Sequence, residues 1–80
     1  MNKSEILSQL QVIFRNVLDN KSIELNEKTS ADDIEEWDSL AHIQLIGAIQ
    51  EKFGIRFSAK EMLGWENIGQ LVDCIESKLL

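Results

Sequence analysis

The sequence predicts an all-α protein: a small four-helix bundle of three longer helices and one short third helix, with a long loop between the first two. Three observations support this prediction. Apolar residues recur at helical spacing, side chains suited to helix capping precede the periodic segments, and 44% of the residues are apolar, which supports a compact core. The 80 residues fit one domain, so residues 1–80 are expected to fold as a unit.

The first helix is expected to have Ser4 as its N-cap and to end near Asp19 and Asn20. Its apolar side chains follow the helical period: Ile6, Leu10, Ile13, Phe14, Val17 and Leu18. Residues 21–37 show no sustained period and are predicted to form a long loop, a feature that is often functional. Four apolar side chains are expected to anchor this loop to the core: Ile23, Leu25, Ile34 and Trp37.

The second helix is predicted from Ser39 to Phe53, with Asp38 as N-cap and Gly54 ending it in a positive-φ conformation. One side is expected to face the core, through His42, Leu45, Ile46, Ile49 and Phe53. The opposite side is expected to face solvent, through Ala41, Gln44, Gly47, Ala48 and Glu51.

Two further capping signals predict the remaining helices. Ser58 and Glu61 have the spacing of a capping box, which should open a short third helix that ends at Gly64. Asn67 is suited to cap the fourth helix. The apolar face of that helix is Ile68, Leu71, Val72, Ile75 and Leu79.

Negative charge is concentrated before the second helix. The formal net charge is −6, and residues 19–38 carry all of it, because acids and bases balance elsewhere. Such a segment repels a phosphate backbone and attracts a basic partner, so nucleic-acid binding is not expected. The sequence has no apolar run of signal-peptide or membrane-span length and a single cysteine, so we expect a cytoplasmic protein without a membrane span or internal disulfide.

Ser39 lies where the second helix begins, beside backbone N–H groups that have no partner within the helix. An anion attached to its hydroxyl would be stabilised by the helix dipole by ~0.3–1 kcal/mol. Asp38 can cap the helix and leave that hydroxyl free. The position therefore suits a serine that is modified. The pair Asp38 and Ser39 is also common as a plain capping pair, and the dipeptide alone favours that interpretation.

The surrounding sequence resembles the acyl carrier protein family over nearly the whole chain. The resemblance rests on Asp38, Ser39 and Leu40 after an acidic loop, on a helix that ends in "FGI", and on the closing segment "WENIGQLVDCI". In that family the serine after the aspartate carries 4′-phosphopantetheine, whose thiol holds an acyl group as a thioester. The resemblance implies attachment at Ser39. It also implies that Asp38 helps a carrier-protein synthase to dock and to orient its Mg²⁺-bound coenzyme A.

The same resemblance implies a carrier without an active site of its own, expected to be a monomer. Its partners would be the synthase and the enzymes that load and transfer acyl groups, in a fatty-acid or polyketide type of synthesis or in a specialised pathway. Glu36 and Trp37 depart from the family's usual residues before the serine, and Glu51 is the only acid on the exposed side of the second helix. These departures favour a specialised pathway.

We expect a divided docking surface for these partners. The acidic loop would steer the encounter, and the small, nearly neutral side of the second helix would make close contact. The residues assigned to this surface are Asp32, Asp33, Glu35, Glu36, Leu40, Ile43, Gln44, Gly47 and Ala48.

Two other functions remain open: an aminoacyl or peptidyl carrier, which would also use Ser39, and an unmodified helical protein-interaction module. A hydrolase triad of Ser39, His42 and Asp38 is disfavoured, because no oxyanion hole or pocket is evident and His42 should face inward. The acidic residues lack the spacing of a Ca²⁺ loop, so no metal site is predicted.

The remaining reactive or aromatic side chains are expected to be structural. Cys74 should be a half-buried small hydrophobe, with the pKa of its thiol raised by Asp73 and Glu76. Trp37 and Trp65 are expected to cover the core as lids.

Overall fold

Four helices make up most of the chain in the computed structural model, which describes residues 1–80. They are α1 (Lys3–Val17), α2 (Ser39–Phe53), the short α3 (Ala59–Gly64) and α4 (Ile68–Leu79). α1 packs against both α2 and α4. The predicted all-α fold with a short third helix and a long first loop is confirmed. No helix combines the length and the apolar character needed to cross a membrane.

α1 begins earlier than predicted, because Asn2 and not Ser4 caps it. Asn2 Oδ1 accepts a hydrogen bond from the Glu5 amide (2.8 Å), and Glu5 Oε1 accepts one from the Asn2 amide (3.2 Å). This reciprocal capping box satisfies two donors at once, and Ser4 is left exposed within the first turn. The helix also ends earlier, at Val17, because Asp19 adopts a left-handed conformation with φ of 51°.

The buried face of α2 is wider than predicted. Ala41 was expected to face solvent but is only 7% exposed, and Ala48 is half-buried. The prediction for Ala41 was wrong because it precedes the buried Leu45 by one turn and so shares its side of the helix. Ala48 follows Ala41 by nearly two full turns and lies on the same edge. The side chains predicted to face inward are either buried (Leu45, Ile46, Ile49) or half-buried (His42, Phe53).

Residues 18–38 form the long loop, and α1 holds its first half. The Arg15 guanidinium donates from Nε to the Ile23 carbonyl oxygen (2.7 Å), and Gln11 Oε1 accepts from the Leu25 amide (2.9 Å). Ile23, Leu25 and Ile34 are buried and Trp37 is half-buried, so the four predicted anchors are confirmed. The loop also contains a short 3-10 turn, Ala31–Asp33, which the sequence pattern did not predict.

The start of α4 holds the second half of the loop. The amide of Ile68 donates to the Thr29 carbonyl oxygen (2.8 Å), and the amide of Gly69 donates to the Glu27 carbonyl oxygen (2.9 Å). Asn67 caps the same helix as predicted, with its side chain accepting from the Gln70 amide. The first N–H groups of α4 therefore have partners outside the helix, and the loop has a fixed position.

α3 is joined to α4 by a charged contact on their shared side. Ser58 and Glu61 form the predicted capping box, and Glu61 Oε1 also lies 3.0 Å from Lys78 Nζ. The Ser58 amide, first, and Lys78, second, lower the pKa of Glu61 to about 2. Cys74 is half-buried as predicted and donates from Sγ to Glu61 Oε2 (3.4 Å). Burial, and after it Glu61, raises the pKa of the Cys74 thiol. The predicted rise in this pKa is therefore correct, but its predicted cause, the charges of Asp73 and Glu76, is wrong.

Candidate functional site

Ser39 is the first residue of α2, and its hydroxyl is exposed and makes no hydrogen bond within the chain. The adjacent Asp38 caps the helix as predicted, because its Oδ1 accepts a hydrogen bond from the Ala41 amide (2.8 Å). The Asp38 carbonyl oxygen accepts the first intrahelical bond, from the His42 amide (2.8 Å). The cap and the free hydroxyl therefore belong to different residues, and the hydroxyl is available for chemistry.

A groove of about 590 Å³ lies beside Ser39, between the loop, the start of α2 and the end of α3. Its rim carries large apolar side chains that face solvent: Ile43 is 68% exposed and Leu63 is 85% exposed. Leu40, next to Ser39, is 66% exposed. Residues from three separate parts of the chain line the groove: Ser30, Ala31, Asp32, Trp37, Asp38, Ser39, His42, Ile43, Met62, Leu63, Trp65 and Glu66.

The acidic side chains before α2 divide into two kinds. Asp33 accepts hydrogen bonds from Ser30 at the start of the 3-10 turn, and Glu36 Oε2 accepts one from Asn20 Nδ2 (2.7 Å). Asp32 and Glu35 are exposed and make no such contact. All four acids predicted for a docking surface are therefore on the surface, and Asp32 and Glu35 are the two whose carboxylates have no hydrogen-bond partner inside the chain.

The predicted contact residues of α2 lie along its solvent side, with one exception. Gln44 and Gly47 are exposed, as are Leu40 and Ile43, whereas Ala48 is half-buried. A Cβ atom added to Gly47 would meet nothing within 4 Å, so another surface can approach the α2 backbone closely at this point.

His42 joins the loop, α2 and α3 through both of its ring nitrogens. Trp37 Nε1 donates to His42 Nδ1 (3.0 Å), and His42 Nε2 lies 2.8 Å from the Met62 carbonyl oxygen. An indole N–H can only donate, so Nδ1 is the acceptor, and the imidazole proton is on Nε2, where it is donated to Met62. We call these three groups the His42 bridge. His42 is half-buried beneath the loop, as the sequence predicted.

The His42 bridge is the centre of a row of aromatic rings. Between ring centroids, Trp37 lies 5.0 Å from Phe14 of α1, which it meets edge-on, and 6.0 Å from His42. On the other side, the Trp65 centroid lies 6.2 Å from that of His42 and 4.7 Å from that of Phe57, which it meets edge-on. Trp37 and Trp65 thus cover the core as lids, and the row links α1 with the segments on both sides of α3.

The geometry does not support a hydrolase triad of Ser39, His42 and Asp38. Both nitrogens of His42 are engaged, so the ring has no free lone pair that could accept a proton from Ser39. Asp38 bonds to the Ala41 amide and does not orient His42. No three His, Cys, Asp or Glu side chains lie close enough together to hold a metal ion.

Sequence reasoning proposed Ser39 as the site and correctly predicted its cap, but it did not assign the α3 side of the groove. Met62, Leu63, Trp65 and Glu66 line the groove opposite Ser39, and none of them was assigned to the site. The available signal was Leu63, an apolar residue in a helix too short to form a core stripe. An apolar residue on such a stripe, with four-residue spacing, would be buried, whereas Leu63 is exposed.

Comparison with known proteins agrees with this geometry. Residues 8–75 match the phosphopantetheine attachment site family. The chain is 33% identical over 76 residues to an acyl carrier protein of Acidothermus cellulolyticus, an alignment covering 94% of this chain and 89% of that one. The fold is similar to the solution NMR structure of the holo acyl carrier protein of Geobacter metallireducens, with a TM-score of 0.86, 42% identity, and coverage of 91% of this chain and 84% of that one. From its motif, its fold and these relatives, the chain belongs to the acyl carrier protein family.

Proposed function

We propose that Ser39 is the attachment point of the 4′-phosphopantetheine that this acyl carrier protein bears. The exposed Ser39 hydroxyl, free of internal hydrogen bonds at the start of α2, is the observation that carries the proposal. The first turn of α2 presents unpaired N–H groups that favour a phosphodiester there. The groove beside Ser39 has room for part of a flexible arm. The residues around Ser39 therefore fit the group.

When bound, the group supplies a thiol that holds an acyl chain as a thioester. The chain's own residues position this arm. Asp38 keeps the first turn of α2 closed, so the serine stays at the helix end whether or not it is modified. Tethering raises the effective concentration of the cargo at each partner, and no catalytic group of this chain is needed. We infer that the protein acts as a carrier, and that the chemistry takes place on its partners.

The test of attachment is the intact mass of the protein after treatment with a promiscuous carrier-protein synthase and coenzyme A. We expect the wild type to gain one phosphopantetheine and Ser39→Ala to gain none. Ser39→Ala should change the free energy of unfolding by no more than about 0.5 kcal/mol, because the side chain is exposed and Asp38 provides the cap. Ser77→Ala, which removes another exposed helical hydroxyl, is the control and should load normally. A Ser39→Ala protein that still gains the arm would place the site elsewhere.

We also propose a divided docking surface for the synthase and for the enzymes that load and transfer acyl groups. Asp32 and Glu35 would attract basic partners, because their carboxylates face solvent without internal partners. The exposed stripe of Leu40, Ile43, Gln44 and Gly47 would make the close contact beside Ser39. Asp33, Glu36 and the half-buried Ala48 remain at the margin of this surface.

The nearly neutral outer side of α2 supports a specialised pathway over a general fatty-acid one. Gln44 and Gly47 are uncharged there, and Glu51 is the only acid on this side. Partners that recognise an acidic second helix would find little charge to bind.

We propose that the protein works as a monomer in the cytoplasm, as one domain over residues 1–80. Loading assays with acyl-activating and amino-acid-activating enzymes would distinguish an acyl cargo from an aminoacyl one.

A further inference from the structure

The His42 bridge forms the floor of the groove beside Ser39. Trp37, His42 and Met62 all line this groove, and the Trp37 ring rests on Phe14, which is 0% exposed. The bridge therefore lies between the position where an arm begins and the apolar interior. An acyl chain that passed from the groove into the apolar interior through this floor would separate His42 from Trp37 or from Met62.

Separating these groups costs a free energy that does not depend on the length of the acyl chain. The three groups are part-buried, so broken hydrogen bonds would leave polar atoms without full access to water. The gain from entry grows with every methylene group that leaves water. Two such hydrogen bonds balance the burial of about two to four methylene groups. Short chains cannot meet this cost, whereas longer chains can.

We propose that the His42 bridge sets the minimum length of acyl chain that can enter the bundle, so that short or polar acyl groups stay outside it, exposed to partners. This inference rests on the proposed attachment at Ser39. It makes His42 a specificity-determining residue that acts through the two hydrogen bonds at the floor of the groove and touches no reacting atom.

The test uses the full chain loaded with non-hydrolysable analogues of saturated acyl groups, from acetyl to decanoyl. Entry is followed by the amide chemical shifts of Ile46, which is one turn beyond His42 in α2, and of Met62, whose carbonyl belongs to the bridge. His42→Leu removes both hydrogen bonds at similar size, and Trp37→Phe removes one donor and keeps a ring. Trp65→Phe is the matched control, because it removes an indole from the same groove and leaves both hydrogen bonds of the bridge intact.

We expect the shortest chain that shifts these amides to be about two to four carbons shorter in His42→Leu than in the wild type. Trp37→Phe should shorten it less, and Trp65→Phe should behave like the wild type. The proposal would be overturned if the shortest acyl chain that enters were the same in all four proteins. It would also be overturned if no acyl chain entered any of them. An effect of Trp65→Phe as large as that of His42→Leu would overturn it as well. If His42→Leu does not fold, the test is whether shorter acyl chains enter Trp37→Phe than enter Trp65→Phe.

A second measurement separates this proposal from the attachment site. In the unloaded, 15N-labelled protein, the His42 imidazole should carry its proton on Nε2, with Nδ1 unprotonated and accepting from Trp37. A proton found on Nδ1 would overturn the bridge, whatever Ser39 carries. Failure of Ser39 to gain the arm, seen by mass before any acyl analogue is compared, would count against the attachment site and leave the tautomer measurement to judge the bridge.

Discussion

Glu61 is the residue at which the stability of α3 depends most directly on charge. Its carboxylate accepts from the Ser58 amide and pairs with Lys78, and these contacts lower its pKa from 4.5 to about 2. A carboxyl whose pKa is lower in the folded than in the unfolded state stabilises the fold fully above its unfolded pKa. That contribution is lost as the pH falls from about 4.5 to about 2.

We therefore expect Glu61→Gln to unfold more easily than the wild type at neutral pH and to lose less stability between pH 4.5 and pH 2. Denaturant unfolding across this pH range measures both effects. Glu51→Gln, at an exposed position without a hydrogen bond or ion pair, should follow the wild-type curve. A Glu61→Gln protein as sensitive to acid as the wild type would show that other carboxyls dominate.

Single residues were predictable where their partners are near in sequence. Asp38, Ser58 and Asn67 each cap a helix by accepting a hydrogen bond from the amide three residues ahead, and each was identified from local spacing. His42 was assigned an inward position, but its bond to Met62 spans 20 residues and could not be read from any period. The pairing of Glu61 with Lys78 was missed for the same reason.

Among the elements, the long loop carries the charge that we expect partners to sense. Asp32→Lys combined with Glu35→Lys should slow association with the synthase, most clearly at low salt, because steering acts on the encounter rate. Glu24→Lys combined with Glu27→Lys changes the net charge equally at the far end of the same loop and is the control. Rates from stopped-flow or surface-binding measurements decide. Equal slowing by both pairs would mean that net charge alone acts, without a docking surface.

The contact between this loop and α4 depends on the absence of a side chain at Gly69. A Cβ atom there would lie 3.0 Å from the Glu27 carbonyl oxygen, which is backbone and cannot turn aside. Gly69→Ala should therefore destabilise by about 1–3 kcal/mol. Gly47→Ala, at an exposed position in α2 with open space, should stabilise by about 0.5–1 kcal/mol through helix propensity. Thermal unfolding of both variants tests the pair, and a stable Gly69→Ala would show that the loop can move.

The elements themselves were predicted well because capping and period are local properties. The errors lie at the ends and edges. The start of α1 was misplaced because Asn2 and Ser4 both suit a cap, although only Asn2 has a Glu three residues later to complete a capping box. The 3-10 turn Ala31–Asp33 was missed because three residues are too few to show a period. Ala41 was misplaced because a small residue at the edge of a helix face fits either side.

At the scale of the whole molecule, the core joins the anchors of the loop to the buried faces of α1, α2 and α4. Ile49 is 1% exposed and Ile46 is 6% exposed, so Ile49→Ala and Ile46→Ala should each destabilise by about 2–5 kcal/mol. Phe53→Ala should cost less, because Phe53 is half-buried near the end of α2. Denaturant unfolding ranks the three, and a Phe53→Ala that is the most damaging would contradict this packing.

Most members of this core were predictable, but their arrangement was not. Periodicity identified the apolar faces, whereas the packing of α1 against both α2 and α4 depends on how the loop returns. Phe57 is buried at 6% exposure, yet the short extended segment that contains it gave no sign of this. The groove beside Ser39 is likewise a property of the assembled bundle, since its walls come from three distant segments.

The hydrogen bond between Trp37 and His42 also has a consequence for how these two positions vary together among related sequences. Either residue alone would leave a part-buried polar atom without its partner, so a replacement at one position should favour a second replacement at the other. Trp37→Phe and His42→Leu should therefore each destabilise the protein, and the double variant should lose less than the two losses added together. Among relatives, tryptophan directly before the Asp-Ser pair should occur together with histidine three residues after the serine. Independent variation at these two positions would show that selection does not maintain the bond.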